Sequence, residues 1–249
     1  MTDERNLARE LAHSAYCALG WSVLTVDTTV LGVGCLGACV LDETGDWAND
    51  IGKLWSRWNL RMLGGRVEVR GLRHLEPAGT YVLMANHQSH LDTWVVLANV
   101  PLQLRYVMKQ ELRSIPLFGV ACARMGHIYV ERGNSASARA SLAEAARRIA
   151  AGTSVVFYPE GTRSRDGRLG PFKTGGFRLA LQAGVPILPL TIRGTRDMFP
   201  PGSWRFTAGR ITVNIHPPIP TAGQTADDPT ALEDLMAHTR AAIDSALPA

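Results

Sequence analysis

The chain has 249 residues, of which 46% are hydrophobic and 19% charged, and its formal charge is +4. That excludes a disordered or low-complexity chain and leaves room for one large α/β domain plus a short extension. The basic excess, nearly all arginine, favours anionic partners such as phosphorylated metabolites, membrane surfaces or nucleic acid. The lysines are Lys53, Lys109 and Lys173. Cys17, Cys35, Cys39 and Cys122 show no Cys-x-x-Cys spacing, so they read as reduced apolar residues in a reducing compartment.

Residues 1–14 are polar and of mixed charge, and from Ala15 to Leu41 the only charge is Asp27. The mixed-charge leader and the lack of a clean small-residue cleavage site argue against a secretory signal. Three readings stay open. As one helix, residues 15–41 reach about 40 Å and cross a bilayer with tilt, with Asp27 mid-membrane at a cost of about 3 kcal/mol. As two pieces joined at Asp27-Thr28-Thr29, each is about 18 Å long and dips into one leaflet. As a hairpin, the segment packs on the protein's own core. Gly32-Val33-Gly34-Cys35-Leu36-Gly37 matches a dinucleotide fingerprint in spelling only. The strand, helix and acid-bearing second strand that such a site needs are missing, and glycines for close helix packing fit better.

From Trp47 to Leu63, the residues Trp47, Ile51, Leu54, Trp55, Trp58 and Met62 recur at three- and four-residue steps, with Lys53, Arg57 and Arg61 interleaved. The pattern suits a helix at a membrane interface or one that covers a sheet. If the apolar segment spans, the slight excess of basic residues after it (Lys53, Arg57, Arg61) over those before it (Arg5, Arg9) favours a cytoplasmic location for the rest of the chain.

Beyond Arg66, strand-like runs (67–69, 81–85, 105–108, 128–130, 154–158, 185–192, 211–215) alternate with helix-like runs (89–99, 111–123, 135–151, 174–183, 229–246). No repeat appears. The expected fold is a single α/β domain with a mixed, largely parallel sheet flanked by helices. It spans 64–249, after an N-terminal apolar helical membrane-binding extension over 1–63.

Two stretches carry chemistry. Asn86-His87-Gln88-Ser89-His90-Leu91-Asp92 follows the apolar run 81–85 and opens a helix. A histidine accepts a proton near neutral pH, and a carboxylate on its other nitrogen fixes the tautomer. Asp92 reaches His87 if the chain turns sharply between them. Ser89-x-x-Asp92 is also a capping-box spelling in which Asp92 serves only backbone amides. A metal reading of His87, His90 and Asp92 has no fourth ligand at the usual spacing. There is no Gly-x-Ser-x-Gly elbow. The second stretch is Pro159-Glu160-Gly161-Thr162-Arg163-Ser164, at the end of an apolar strand. There a glycine admits a ligand close to the backbone, and a hydroxyl and a guanidinium suited to phosphate come at once after it. Lys173 adds a nearby point charge. The structural alternative for Arg163 is a salt bridge with Glu160 or Asp166.

Together these blocks resemble the glycerolipid acyltransferases of the lysophosphatidic acid acyltransferase type. Asn86–Asp92 is similar to their first motif and Gly126-His127-Ile128-Tyr129-Val130-Glu131-Arg132 to their second. Pro159–Ser164 is similar to the third, with Tyr158 where the family often has Phe. Val185-Pro186-Ile187-Leu188-Pro189 is similar to the fourth, and Lys109, Ile115, Pro116 and Gly119 fit a further family stretch.

The resemblance implies an O-acyltransferase with His87 as general base and Asp92 orienting it. It implies acyl transfer from acyl-CoA or acyl-carrier protein to the 2-hydroxyl of 1-acylglycerol 3-phosphate, giving phosphatidic acid for phospholipid synthesis, with no acyl-enzyme, cofactor or metal. Glu160, Gly161, Thr162 and Arg163, with Arg132, then shape the acceptor phosphate site. Lys109 and Lys173 are further candidates for phosphate or donor contacts, and Val185–Pro189 helps shape the acyl or donor channel. The partners implied are a membrane lipid, the acyl donor and a membrane surface on its cytoplasmic face, and no nucleic acid. The alternatives are another lysolipid acceptor such as a lyso-ornithine lipid, a non-catalytic membrane-binding module, and a hydrolase using Ser89.

Overall fold

The computed structural model describes residues 2–76, 78–131 and 133–248. Its first element is one uninterrupted helix, α1 (Thr2–Leu41), about 60 Å long. The two-piece and hairpin readings of 15–41 are thereby overturned. Asp27 marks no turn. It faces α2 (Asp46–Met62), toward Thr28, Trp55 and Asn59, while the Trp55 indole donates to Thr28 Oγ1 at 3.1 Å. Asp27 thus sits among polar groups, but its buried Oδ2 has no hydrogen-bond partner among the described residues. The segment Arg5–Leu41 is long and apolar enough to cross a bilayer.

Gly32, Gly34 and Gly37 all lie inside α1, so no nucleotide-binding turn exists there. Gly32 packs against the Leu117 side chain, but Gly34 and Gly37 face open space. Close packing therefore accounts for one of the three.

The sheet has seven strands: β1 (Gly65–Arg70), β2 (Val82–Ala85), β3 (Leu104–Lys109), β4 (Ile128–Val130), β5 (Ser154–Phe157), β6 (Ile187–Arg193) and β7 (Gly209–Ile215). Their order is β1-β7-β6-β2-β5-β3-β4. Every neighbouring pair is parallel except β6 with β7. The helices beyond α2 are α3 (Leu91–Asn99), α4 (Phe118–Arg124), α5 (Ser135–Ala150), α6 (Gly175–Ala183), α7 (Thr195–Met198) and α8 (Pro229–Asp244).

Strand alternation sorts the core onto two faces. Leu83 and Ala85 of β2 point to the side where Leu91, Val95 and Val96 of α3 and Leu60 of α2 pack. Val82 and Met84 point to the side of Ala145, Phe177 and Leu235, from α5, α6 and α8. The α1–α2 turn is pinned to the sheet by Arg105, a fully buried residue of β3. Its Nη2 donates to the Asp46 carboxylate at 2.7 Å and to the Thr44 carbonyl at 3.0 Å.

The helix expected over 111–123 divides into a 3-10 turn, Gln110–Ser114, and α4. Pro116 between them lacks an N–H and disfavours the helical conformation before it. The strand expected over 185–192 is β6, which opens at Ile187. Ile187 and Leu188 are fully buried, and Pro189 pairs in register with Met84 of β2. The missing Pro189 N–H falls just before β6 and β7 begin to pair at Leu190, where no ladder bond is lost.

The strand order also decides where a ligand can go. The chain runs from β2 outward to β3 and β4 on one side, returns through β5, then crosses to β6 and β7 on the other. A crevice therefore opens at the carboxyl end of β2.

Candidate active site

His87 lies two residues past the end of β2, in that crevice. A sharp turn brings Asp92, in the first turn of α3, back to it, and His87 Nδ1 lies 2.8 Å from Asp92 Oδ2. The same oxygen accepts from the Gln88 and Ser89 backbone N–H groups at 2.6 and 2.8 Å. Oδ1 accepts from Thr195 Oγ1 at 2.6 Å. Asp92 and Thr195 are fully buried. Four donors converging on one buried carboxylate hold it in a single orientation. Asp92 thus meets both the backbone amides of the turn and the His87 ring, while His90, at the N-cap of α3, makes no side-chain capping bond.

With Nδ1 engaged by the carboxylate, Nε2 is the ring nitrogen left to exchange a proton. The His87 side chain retains 17% exposure. Tyr158 stacks on the ring with centroids 4.1 Å apart. Asn86 anchors the turn from below: its amide donates to the Ile192 carbonyl at 2.9 Å and its carbonyl accepts from the Ile192 N–H at 2.7 Å.

Ser89 does not have the placement of a nucleophile. Its Oγ is fully buried, donates to the Phe199 carbonyl at 2.7 Å and accepts from Leu91 N–H at 3.2 Å.

The turn after β5 stands beside the histidine. Glu160 Oε1 accepts from the His87 N–H and Oε2 from the Gly170 N–H, each at 2.9 Å. Burial pushes the Glu160 carboxyl pKa up, against the pull of these two backbone donors. Both oxygens are engaged, so Glu160 acts as a brace between the catalytic turn and the loop 161–173. Gly161 adopts φ +68°, and a Cβ there would lie 2.9 Å from Lys173 Nζ. That packing places the lysine directly over the glycine turn. Among the described residues Arg163 makes no ion pair with Glu160 or Asp166. Its charge reaches the catalytic turn, where burial first and then Arg163 push His90 down to about 4. Thr162 is exposed at the turn.

The loop is tied down along its length. Ser164 N–H donates to the His87 carbonyl at 2.8 Å, and the Gln88 amide donates to the Gly167 carbonyl at 2.9 Å. Arg196 Nε reaches the Arg165 carbonyl at 3.0 Å. Arg240 of α8 donates to the Gly170 and Leu169 carbonyls at 2.7 and 2.8 Å.

Two candidates stand apart. Lys109 ends β3, two strands from β2 and so about 10 Å away, and pairs with Glu111 at 2.7 Å. Arg132 lies outside the described residues. Thr195, Arg196 and Arg240 were not anticipated. The available signal was the hydroxyl of Gly194-Thr195, just past the carboxyl end of β6, the strand beside β2.

Behind α3 lies an apolar cavity of about 90 Å³. Its walls include Leu31 and Cys35 of α1, Trp55 of α2, Trp94 and Leu97 of α3 and Phe118 of α4. Thr93, also on its wall, accepts from the Tyr158 hydroxyl at 3.5 Å. The cavity thus abuts the ring stacked on His87.

The family model described as Acyltransferase matches residues 66–193, which include the His87 turn and the Glu160–Lys173 loop. The chain belongs to the acyltransferase family. Among curated relatives, 1-acyl-sn-glycerol-3-phosphate acyltransferase alpha of Homo sapiens is 38% identical over 179 residues, 72% of this chain and 63% of that protein. The beta form of Homo sapiens is 34% identical over 224 residues, 88% of this chain and 77% of that one. This chain therefore aligns with a little under two thirds of the alpha form's length. The crystal structure of the 1-acyl-sn-glycerophosphate (LPA) acyltransferase from Thermotoga maritima shares the fold, with a TM-score of 0.79 over 95% of this chain and 97% of that one, at 24% identity. Thr195, Arg196 and Arg240 lie beyond the family-matched segment.

Proposed function

We propose that the protein is an O-acyltransferase that moves a fatty acyl group from acyl-CoA or acyl-carrier protein to the 2-hydroxyl of 1-acylglycerol 3-phosphate, giving phosphatidic acid. The observation that carries this reading is the pairing of His87 with buried Asp92 beside a turn where Arg163 and Lys173 supply positive charge. A proton acceptor next to a phosphate-sized cationic turn fits an acceptor that carries both a hydroxyl and a phosphate.

In this mechanism the acceptor phosphate sits on the Gly161–Arg163 turn and Lys173, with the free hydroxyl toward His87 Nε2. As Nε2 takes the proton, the oxygen attacks the thioester carbonyl. Asp92 stabilises the imidazolium that forms. The tetrahedral intermediate then collapses, the C–S bond breaks, and the imidazolium returns the proton to the departing thiolate. The product ester and the free thiol balance the step, and no enzyme acyl ester is required. Glu160 shapes the site without touching phosphate, because two like-charged groups in contact would repel. The apolar cavity behind α3 accommodates part of an acyl chain. The exposed apolar residues of α1 and α2, among them Leu11, Val30, Trp47 and Trp58, rest on the cytoplasmic face of the membrane that supplies the lysolipid.

The test is an acceptor panel with the purified protein and both donors: 1-acylglycerol 3-phosphate, a monoacylglycerol and a lyso-ornithine lipid, with products identified by mass spectrometry. Phosphatidic acid is the expected main product. Preferential acylation of either other acceptor overturns the assignment, and no turnover with any donor points to a non-catalytic module.

A further inference from the structure

Residues 199–208 join α7 to β7, and they do so by a detour that touches both α1 and the catalytic turn. At one end, the Phe199 carbonyl accepts from Ser89 Oγ at 2.7 Å, and the Phe199 ring lies 6.1 Å from that of His90. At the other, the segment is bound along α1 between Glu10 and Trp21. Arg205 donates to Glu10 Oε2 at 2.6 Å and to Ser14 Oγ at 2.9 Å. The Phe206 carbonyl lies 2.9 Å from His13 Nε2. The Trp21 indole donates to the Trp204 carbonyl at 2.8 Å. Phe206 packs against the bare backbone of Gly20 and edge-on to Tyr16, at 5.4 Å. So many ties to one helix make this loop and α1 a single rigid surface.

On that surface Trp204 is left 51% exposed, and among the described residues its indole N–H has no protein partner. Arg205 lies over its ring at 5.5 Å. A half-exposed tryptophan with a free N–H is a group that settles at the headgroup level of a bilayer, its ring at the acyl boundary and its N–H toward phosphate. Arg205, already paired with Glu10 and Ser14, holds the ring in place. Trp21 is itself 37% exposed, and Tyr16, Leu19 and Val26 continue the apolar exposure along α1. The patch is thus continuous with the helix face already assigned to lipid.

We propose that the loop 199–208 is a membrane contact in its own right, with Trp204 seated in the headgroup layer of a phospholipid bilayer. Through Phe199 it sets the depth and tilt at which the His87 turn meets the lysolipid. The proposal rests on the reading that the acceptor is drawn from a membrane. It adds that the contact is made by a segment more than 130 residues beyond α2 in sequence, and that this contact is coupled to the catalytic turn.

The test uses the full chain, Trp204→Ala and Trp204→Phe, and vesicles of phosphatidylcholine with phosphatidylglycerol. Partitioning is read by flotation. Turnover is measured with long-chain acceptor in the vesicles and, separately, with a short-chain acceptor soluble as monomer. Trp204→Ala is expected to weaken partitioning and raise the apparent KM for vesicle-borne acceptor about tenfold, with kinetics on the soluble acceptor unchanged and Trp204→Phe in between. Unchanged partitioning in Trp204→Ala overturns the proposal. So does an equal loss on the soluble acceptor, which would put Trp204 in the substrate site. If the wild-type chain neither binds vesicles nor acylates any lipid, the functional reading itself fails. If it does both and Trp204→Ala matches it, only the loop's role fails.

Discussion

The catalytic turn and the long N-terminal helix handle their polar and apolar groups in opposite ways. In the turn 86–92, the Asn86, Ser89 and Asp92 side chains and both oxygens of the neighbouring Glu160 are engaged by named protein partners. On α1, Leu7, Leu11, Leu19, Val26, Val30, Val33, Val40 and Leu41 stay exposed. The first region is complete within the chain and is fixed before any substrate arrives, the condition for proton transfer at a set distance. The second is an apolar surface too long to leave in water and requires another phase. On the proposed function, the difference teaches that this molecule divides its work: rigidity where the bond would be made, and an unfinished surface toward the lipid substrate.

The comparison breaks most visibly at Asp92. Asp92→Asn keeps the shape of the turn but cannot hold the His87 tautomer, and kcat is expected to fall about 10³-fold or more while vesicle binding is unchanged. A loss of both together would show that the two regions are not separable. Next is Thr195, the buried donor to Asp92 Oδ1. Thr195→Val leaves that oxygen unpaired, and kcat should drop about tenfold through loss of one charge-assisted bond. Acceptor KM should stay the same, and Thr195→Ser should recover most of the rate. If Val and Ser behave alike, the hydroxyl has no positioning role.

A smaller effect is expected at Arg240, which holds the Leu169 and Gly170 carbonyls from α8. Arg240→Ala should raise the acceptor KM about fivefold, roughly the worth of one net hydrogen bond, with kcat nearly unchanged. A kcat loss without a KM change would contradict its assignment to the acceptor loop. A last effect concerns stability rather than rate. Burial, then Arg105 and Arg148, pushes His127 down to about 3. The unfolded chain therefore takes up a proton near pH 6.5 that the folded chain refuses. Stability is full above that pH and falls as pH drops toward 3, by about 1.4 kcal/mol per pH unit for this group. Urea unfolding at pH 7 and pH 5 should show a smaller difference in His127→Gln than in the wild type. An equal difference would assign the acid sensitivity elsewhere.

How much of this was legible in the sequence depends on where each signal resides. The central strands stood out because buried strands in a largely parallel sheet are mostly apolar runs, as at Val82–Ala85, and the edge pair β1 and β7 by alternation. His87, Asp92, Glu160 and Arg163 stood out because each pair lies within one short turn. The continuity of α1 did not, because the polar groups Asp27 faces, Trp55 and Asn59, are on another helix. Thr195 and Arg240 were silent for the same reason. Their partners lie 103 and 70 residues away in the chain, and only the strand order of the sheet and the packing of α8 bring them together. Pro116 carried a local signal, the break between the Gln110–Ser114 turn and α4, that the apolar pattern of 111–123 masked.

The most direct measurement is single-turnover formation of phosphatidic acid from 1-acylglycerol 3-phosphate and a radiolabelled acyl thioester, comparing the wild type with His87→Ala at matched vesicle binding. The wild type should convert the bound acceptor, and His87→Ala should form product about 10²- to 10⁴-fold more slowly, the range for loss of a general base, with its fold and its membrane partitioning intact. Comparable product formation by His87→Ala, with its Asp92 left without a partner ring, would contradict the assignment of proton transfer to this turn.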